Sequence, residues 1–258
     1  MLNFKSVNLI SIVIFLGLLI AFLINPISIW WFVLLFFSWF TLTAFGSGLV
    51  SWHYHIKILN ANKNANINNI AITFDDGPNP EFTPQVLALL KQYKAKATFF
   101  CIGKHIEAHP KLFKQILAEG HTIGNHTYSH ANTFGFFKTE KVQAELLKTN
   151  TIIKQFSGLQ PKLFRPAFGV TNPRIRQAVN NLNLTTIGWN KRSLDTTNLS
   201  DLSILKRVTK NINSGDIILL HDTSDKSVRV LEQLLLFLHD NKFQSVAIDT
   251  LFKIKAYA

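Results

Sequence analysis

Two adjacent carboxylates and a pair of histidines have the residue types and spacing best suited to chemistry in this sequence. Asp75 and Asp76 follow an apolar run that ends at Phe74, and His126 and His130 are four residues apart. A helical turn would place such a histidine pair on one face, within reach of a single ion. Two histidines and one carboxylate suit zinc with open positions for water and substrate, but nonhaem ferrous oxygenases use the same ligands. The spacing therefore predicts a metal site and leaves the reaction open.

Arg165 and His221, each at the end of a short predicted strand, extend this set toward hydrolysis. An arginine beside Asp75 would hold that carboxylate ionised, and an imidazole that titrates near neutrality can act as a general acid. The alternatives are structural, because Asp-Gly-Pro is common turn chemistry and a strand-end arginine is often only an ion pair. Amide hydrolysis needs an activated water, a Lewis acid and a proton for the leaving group, and this set could supply all three.

Short β-like runs alternate with amphipathic helical stretches from residue 70 onward, and the ionisable residues fall at the ends of these runs. This alternation predicts a parallel α/β sheet, and about 190 residues with this rhythm can close into a barrel. Catalytic side chains gather at the C-terminal ends of strands in such folds. The predicted strands cover 70–74, 97–102, 121–125, 162–165, 185–189, 216–221 and 244–248, and the predicted helices cover 83–93, 110–119, 139–156, 173–181, 202–213 and 228–241.

The first 50 residues differ from the rest, because Lys5 is their only charged side chain. Apolar stretches at 7–24 and 27–45 are each long enough to cross a bilayer, which predicts a transmembrane helical hairpin and a multi-pass membrane protein. A buried helical pair would carry a polar face, and a signal peptide would be followed by a small-residue cleavage site; the sequence shows neither. We divide the chain into the hairpin at 1–50, a linker rich in Asn and Lys at 51–67 and a catalytic domain at 68–258.

The charge of the chain is strongly basic. Its formal net charge is +12, of which Lys5 contributes one, so residues 51–258 carry +11. A positive field beside an anchor favours anionic lipid headgroups or an anionic polymer. The lysines are dispersed and no nucleic-acid motif accompanies them, so we expect no nucleic-acid partner. Cys101 is the only cysteine and lies in an apolar run, which predicts a buried thiol.

The motifs resemble, in their order along the chain, those of the polysaccharide deacetylase family, also called the NodB-homology or carbohydrate esterase family 4 domain. The matching segments are Thr73-Phe74-Asp75-Asp76-Gly77, His126-Thr127-x-x-His130, Arg165-Pro166-x-Phe168-Gly169 and Leu219-x-His221, within a match from roughly Asn68 to Ile248. The resemblance implies a deformed (β/α) barrel and removal of an N-acetyl, less often O-acetyl, group from a polymer such as peptidoglycan, chitin or xylan. It also implies a divalent metal, Zn²⁺ or alternatively Co²⁺ or another divalent ion.

The resemblance assigns roles to the matching residues. The implied metal ligands are Asp76, His126 and His130. Asp75 would be the base that activates water, Arg165 would tether Asp75, and His221 would protonate the leaving amine. The backbone N–H of Phe168 would help to stabilise the oxyanion, and Leu219 would line the pocket for the acetyl methyl group.

Two segments depart from the family pattern. Ala167 stands where a second proline is common, and Asp195 is followed by Thr196 where the family usually has Asp-Trp. Asp195 keeps a carboxylate that could orient His221 and tune its pKa. Trp189 is the candidate that would replace the missing tryptophan as a sugar-stacking wall.

The substrate and the compartment have alternatives. Lys5, Lys57 and Lys63 weakly favour a cytoplasmic domain, whereas the family favours the outside. A cytoplasmic domain would make a deacetylase or deformylase of a lipid-linked amino sugar the alternative. An O-acetyl xylan esterase and a carbohydrate-binding relic without activity are further alternatives, but a relic would be expected to lose Asp75 or His221, and both are present.

Overall fold

A computed structural model of the protein describes residues 3–65 and 68–258. The described residues contain a curled parallel sheet of eight strands. The strands are β1 (Asn69–Asp75), β2 (Ala97–Cys101), β3 (Thr122–Asn125), β4 (Leu163–Phe164), β5 (Thr185–Thr186), β6 (Lys191–Arg192), β7 (Ile217–His221) and β8 (Gln244–Ser245). The predicted α/β class is confirmed, and the sheet forms a half-barrel of the deformed (β/α) type.

The order of the strands places β1 at the centre of the sheet. The order is β5-β4-β3-β2-β1-β7-β6, and β8 pairs with the start of β1. All of these pairs are parallel, so the carboxyl ends of the strands share one edge. The register sets Asp75 directly beside His221 on one side and Phe100 on the other. Two ionisable side chains that are 146 positions apart in the sequence are therefore neighbours at that edge.

Eight helices follow the strands. They are α3 (Thr83–Gln92), α4 (Gly103–Ala108), α5 (Pro110–Ala118), α6 (Thr139–Ser157), α7 (Pro173–Asn181), α8 (Asp201–Thr209), α9 (Asp225–Asp240) and α10 (Ile248–Phe252). Four of these helices have a capping residue: the side chains of Asn172, Ser200 and Ser224 cap the starts of α7, α8 and α9, and Gly158 ends α6 with a φ of 74°.

Apolar faces of these helices cover the sheet and form its principal core. The largest cluster joins strand residues such as Phe74 and Phe99 to helix residues such as Leu90, Phe113 and Leu234, all of them buried. Burial of this kind contributes roughly 1.5–3 kcal/mol for each large apolar side chain. Cys101 belongs to the same cluster and is fully buried, as predicted from its apolar surroundings.

Two further helices precede the sheet. They are α1 (Phe4–Ile24) and α2 (Trp30–Gly48), which begin or end about three residues from the predicted bounds. Both are long and apolar enough to cross a membrane, with mean hydropathies of 2.9 and 1.4, and most of their side chains are exposed. They pack against each other, and the indole Nε1 of Trp39 donates to Asn8 Oδ1 at 2.7 Å between them. Trp30 and Trp31 are the first two residues of α2, and Trp39 lies near its middle.

The segment predicted as a linker, 51–67, is in large part packed against the domain. Ile56 and Ile58 are buried in a cluster of the domain, Tyr54 is buried against Gly46 of α2, and Leu59 forms a parallel bridge with Ile187 beside β5. Although this stretch is polar on average, Ile56 and Ile58 are two positions apart, and side chains at that spacing lie on the same face of an extended chain, where they can contact a core. Residues 66 and 67 lie outside the described residues, and the proposed division into domains stays a prediction.

Candidate active site

The carboxyl end of β1 sends its two aspartates in different directions. Asp75 is the last strand residue and is 4 % exposed. Asp76 has a φ of 75°, a conformation that turns the chain out of the strand immediately after Asp75. Two chemically identical side chains therefore enter different surroundings, which is what a division of roles between them requires.

Arg165 holds Asp75, as the resemblance implied. Its guanidinium Nη1 donates to Asp75 Oδ1 at 2.8 Å and to Thr73 Oγ1 at 2.8 Å. Nη2 donates to the carbonyl of Gly188, and Nε donates to the carbonyl of Ile187. The arginine is fully buried, so every contact is made with the interior of the barrel. The pair fixes one oxygen of Asp75 and leaves Oδ2 directed toward His126, with 3.8 Å to His126 Nε2.

Asp76, His126 and His130 come together as a possible cation site, the grouping that was predicted. Asp76 Oδ1 lies 3.4 Å from Nε2 of each histidine, and the three ligand atoms are within 4.8 Å of one another. Asp76 Oδ1 is buried and has no hydrogen-bond partner, although a buried carboxylate oxygen normally has one. A cation bound by these three atoms would satisfy that oxygen, so the residues present fit a divalent metal.

The hydrogen bonds around His126 suit a metal ligand. Its Nδ1 lies 2.9 Å from the backbone carbonyl of Arg165, and a carbonyl can only accept, so Nδ1 carries the proton. Nε2 then presents its lone pair to Asp76 and His130. A backbone carbonyl that fixes the tautomer of a histidine ligand is a usual feature of metal sites.

The two histidines do not lie on a helical turn, so that prediction was wrong. β3 ends at Asn125, and the following loop has left-handed backbone at Thr127 (φ 65°) and His130 (φ 49°). Asn125 Oδ1 accepts from the Thr127 N–H, and Glu145 on α6 accepts from the backbone N–H groups of Tyr128 and Ser129. These contacts replace the hydrogen bonds that a helix would supply and bring both imidazoles to one point.

The charges of the site shift the pKa values of its members. Burial alone would lower the pKa of His126, but the nearby Asp75 and Asp76 outweigh it and raise that pKa above its usual value. Burial and the neighbouring His126 lower the pKa of His130 to about 4. Burial raises the pKa of Asp76, but the nearby imidazoles of His126 and His130 bring it below its usual range. Asp76 is thus ionised, and a metal must compete with a proton only at His126.

His221 and Asp195 form the second hydrogen-bonded pair of the site. His221 Nδ1 lies 2.8 Å from Asp195 Oδ1, and the His221 backbone N–H donates to Asp195 Oδ2 at 2.8 Å. Ser193 and Ser227 donate their hydroxyls to the same buried carboxylate. Burial lowers the pKa of His221, but the hydrogen bond and charge of Asp195, together with Asp75 and Asp76, raise it to about 9. The imidazolium form is therefore favoured at neutral pH.

The remaining predicted residues surround this centre. Phe168 is 47 % exposed, has a φ of 57°, and its ring centroid lies 4.5 Å from that of His130. Leu219 is buried on β7, two positions before His221 and so on the same face of the strand. Trp189 is partly buried in apolar contacts beside Gly169, with the Arg165 guanidinium carbon 5.5 Å from the centroid of its ring.

Several residues that contribute to the site had no signal in the sequence. His105, which lies outside the matching motif segments, places Nδ1 2.7 Å from the backbone carbonyl of Asp76. Asp222 is fully buried behind the Asp76 loop, where it accepts from the Thr83 hydroxyl and lies against Gly77. Its burial raises its pKa to about 7. Only the position of Asp222 next to His221 could have singled it out.

Comparison with known proteins assigns this chain and its fold to one class of protein. Residues 62–187 match the family model described as polysaccharide deacetylase. A peptidoglycan-N-acetylglucosamine deacetylase of Bacillus cereus is 39 % identical over 191 residues, which cover 72 % of this chain and 89 % of that protein. A chitooligosaccharide deacetylase of Sinorhizobium fredii is 30 % identical over 189 residues, covering 68 % of this chain and 87 % of that protein. The solved structure of the Bc1960 peptidoglycan N-acetylglucosamine deacetylase superposes with a TM-score of 0.72 at 32 % identity, covering 78 % of this chain and 94 % of that one.

The half-barrel with its ionisable strand ends thus defines a hydrolase that acts on carbon–nitrogen bonds other than peptide bonds. The chain belongs to the polysaccharide deacetylase (NodB-homology, carbohydrate esterase 4) family. The resemblance seen in the motifs is confirmed.

Proposed function

We propose that this chain is a membrane-anchored, metal-dependent deacetylase that removes N-acetyl groups from amino sugars of a cell-wall or related polysaccharide. The observation that carries the proposal is the unpartnered Asp76 Oδ1, which lies 3.4 Å from two histidine nitrogens beside the Asp75 and His221 pair. Peptidoglycan and chitin-type N-acetylglucosamine are the proposed substrates, because relatives are named for peptidoglycan and for chitooligosaccharides.

The proposed metal ligands are Asp76, His126 and His130, and Zn²⁺ is the proposed ion. Two imidazoles and one carboxylate are a donor set that zinc accepts while keeping positions open. When bound, the cation supplies a Lewis acid that polarises the acetyl carbonyl and stabilises negative charge on its oxygen.

Asp75 and His221 divide the proton transfers. Asp75, paired with Arg165 at 2.8 Å, takes a proton from the water that adds to the acetyl carbon. The carbon–nitrogen bond then breaks, and His221, held in one tautomer by Asp195, gives its proton to the departing amine. The products are acetate and the free amino sugar. The Phe168 N–H, Leu219 and Trp189 are proposed to contact the oxyanion, the acetyl methyl group and the sugar.

Membrane anchoring is proposed for the helices α1 and α2. In the most apolar part of each helix, 6 % of the residues are buried, so their surface needs an apolar surrounding. A cleaved signal sequence accounts poorly for the contacts of this region with the domain, such as the bond from the Thr171 N–H to the Ser47 carbonyl. The domain is proposed to lie outside the cytoplasm, where peptidoglycan is found.

An acetate-release assay tests the proposed function. The full-length chain, purified in detergent and loaded with Zn²⁺, should release acetate from peptidoglycan or chitin oligomers without oxygen, and the Asp75→Asn variant should not. Release from acetylxylan alone would instead assign an O-acetyl esterase. An oxygen requirement would assign oxygenase chemistry, and silence on every substrate by a metal-loaded chain would contradict the proposal.

A further inference from the structure

We infer that the catalytic site is fixed at the bilayer surface, and that its substrate is an acetylated amino sugar carried by a membrane lipid rather than a polymer remote from the membrane. This inference rests on the proposed deacetylase function and deepens it. It is carried by the way the end of α2 is docked on the loop that follows β4.

The last turn of α2 is bonded directly to this loop. The backbone carbonyl of Ser47 accepts from the Thr171 N–H at 2.9 Å, and Thr171 is three residues beyond Phe168. The Ser47 hydroxyl bonds His55 Nε2 at 2.9 Å, and Tyr54 packs on Gly46, where any side chain would collide with its ring. The helix and the domain are thus joined by packed contacts in place of a free tether.

Val50 packs at the junction between α2 and the domain. Its side chain is buried between Gly169 and Gly188, and a Cβ at Gly169 would lie 3.1 Å from a Val50 methyl group. Gly169 also has a φ of 70°, which a side chain would strain. Gly188 is the residue whose carbonyl receives Arg165 Nη2. The segment after α2 therefore packs against the same backbone that holds the catalytic arginine.

These contacts limit how far the site can stand from the membrane. Phe168 adjoins Gly169, and its ring is 4.5 Å from the ring of His130. Chain dimensions then place His130 at most about 20 Å from Val50. The polar headgroup layer of a bilayer is itself about 5–8 Å deep on each side. The site is thus held within about 20 Å of the end of α2, and a sugar linked through phosphate to a lipid projects from the headgroup layer toward it.

The surface beside the site suits such a substrate. Phe136, in the loop that follows His130, is 83 % exposed, and Phe168 is 47 % exposed. Arg174 on α7 donates to the Phe136 carbonyl, and burial together with the charge of Arg176 lowers the pKa of His55 after α2. Exposed aromatic rings favour the membrane interface, and cationic side chains favour the phosphate of a lipid-linked sugar. Because α2 is docked on the domain, the domain does not swing outward to glycan chains that lie far from the membrane.

A matched pair of insertions tests the inference in the full chain. The flexible insertion places 20 Gly/Ser residues between Gly48 and Leu49, which frees the hairpin and leaves Val50 packed in the domain. The control places the same residues between Pro26 and Ile27, in the connection between the two helices. Each protein is reconstituted in vesicles, and amine formation is measured on polyprenyl-diphosphate N-acetylglucosamine in the bilayer and on soluble chitin tetramer.

Wild type and the control should prefer the lipid-linked sugar, and the insertion after Gly48 should lower its kcat/KM by about tenfold, since a fixed orientation near the substrate is lost. Turnover of the soluble tetramer should stay within about twofold in all three proteins. Equal rates on both sugars in wild type, or an unaffected Gly48 insertion, would overturn the inference while the deacetylase stands. No turnover of either sugar would overturn the deacetylase itself, and the inference with it.

Discussion

At the scale of single residues, Asp75 and Asp76 show how position separates two identical side chains. Asp75 shares a buried hydrogen bond with Arg165, whereas Asp76 lies between two histidine nitrogens and keeps an unsatisfied oxygen. One carboxylate is thus already paired within the protein, and the other is left for a ligand. Their substitution should give opposite results for metal content.

Asp75→Asn should keep nearly normal zinc and lose about two to four orders of magnitude in turnover, because a base is removed and the ligands stay. Asp76→Ala should lose both zinc and activity, with part of the activity restored by high added zinc. Metal analysis of the purified variants beside acetate release separates the two. Loss of metal from Asp75→Asn with retention in Asp76→Ala would reverse the roles.

Asp195→Asn should move the alkaline limb of the kcat/KM profile to lower pH. The pKa of His221 is raised to about 9 because the hydrogen bond and charge of Asp195 oppose burial. The protonated imidazole is the active form, so activity is lost as pH rises through this pKa, and removing the carboxylate charge lowers it. Asp201→Asn, which removes a carboxylate paired with Arg229 on the surface, is the matched control. An unmoved limb in Asp195→Asn would show that another group sets it.

The sequence allowed the central side chains of the site to be predicted, and the structure brings them together. Strand ends are recognisable because a buried apolar run precedes each polar residue, as Ile217 to Leu220 precedes His221. His105 and Glu145 could not be found, because they act through backbone atoms of Asp76, Tyr128 and Ser129. Contacts of a side chain with a distant backbone leave no spacing in the sequence to read.

At the scale of elements, the loop after β3 brings together the two histidines that were predicted to meet, but its backbone is not the predicted helical turn. Spacing of four predicts a helical face, but Thr127 and His130 adopt left-handed backbone that a helix excludes. The helices α4 and α10 were not predicted, since elements of six and five residues carry too little periodicity. The strand β6 was not predicted because both of its residues, Lys191 and Arg192, are charged and form no apolar run. The long helix α6 was predicted to within one residue at each end.

Glu145→Ala should weaken metal binding by about 10- to 100-fold without removing a ligand, because the histidine loop loses its support. Glu145 accepts from the N–H groups of Tyr128 and Ser129 and from the Ser129 hydroxyl. Competition with a chromogenic zinc chelator measures the affinity, and Glu140→Ala, an exposed position on the same helix, is the control. Equal affinities of the two variants would show that the loop holds its shape without Glu145.

At the scale of the whole molecule, the stretch that follows the two apolar helices is packed more closely than its polar composition indicates. The polar stretch after residue 50 was predicted as a linker, yet Val50, Ile56 and Ile58 belong to a buried cluster of the domain. Composition averages over a window and cannot show that single apolar side chains in it are inserted into a core. The buried cluster of the domain therefore includes side chains from just after the end of α2.

Truncation should reveal this boundary. Full-length protein should stay in the membrane fraction after a high-salt wash, whereas residues 49–258 should be soluble and folded. Residues 62–258 should unfold at a temperature lower by several degrees or more, because three buried aliphatic side chains worth roughly 1.5–3 kcal/mol each are lost. Circular dichroism melts compare the two soluble forms. Release of the intact chain by salt alone would contradict the anchor, and equal melting temperatures would contradict the role of the segment.

Because Cys101 is buried, the protein is expected to react only slowly with thiol reagents. It is the only cysteine in the sequence, it is fully buried in β2, and burial raises the pKa of its thiol. A thiol that is both shielded and protonated reacts slowly with a maleimide. In a Leu202→Cys variant, the new cysteine, at a position 57 % exposed on α8, would therefore be the one site of this protein that the reagent labels. Labelling of this variant by a membrane-impermeant maleimide before lysis would report directly on which side of the membrane the catalytic domain lies.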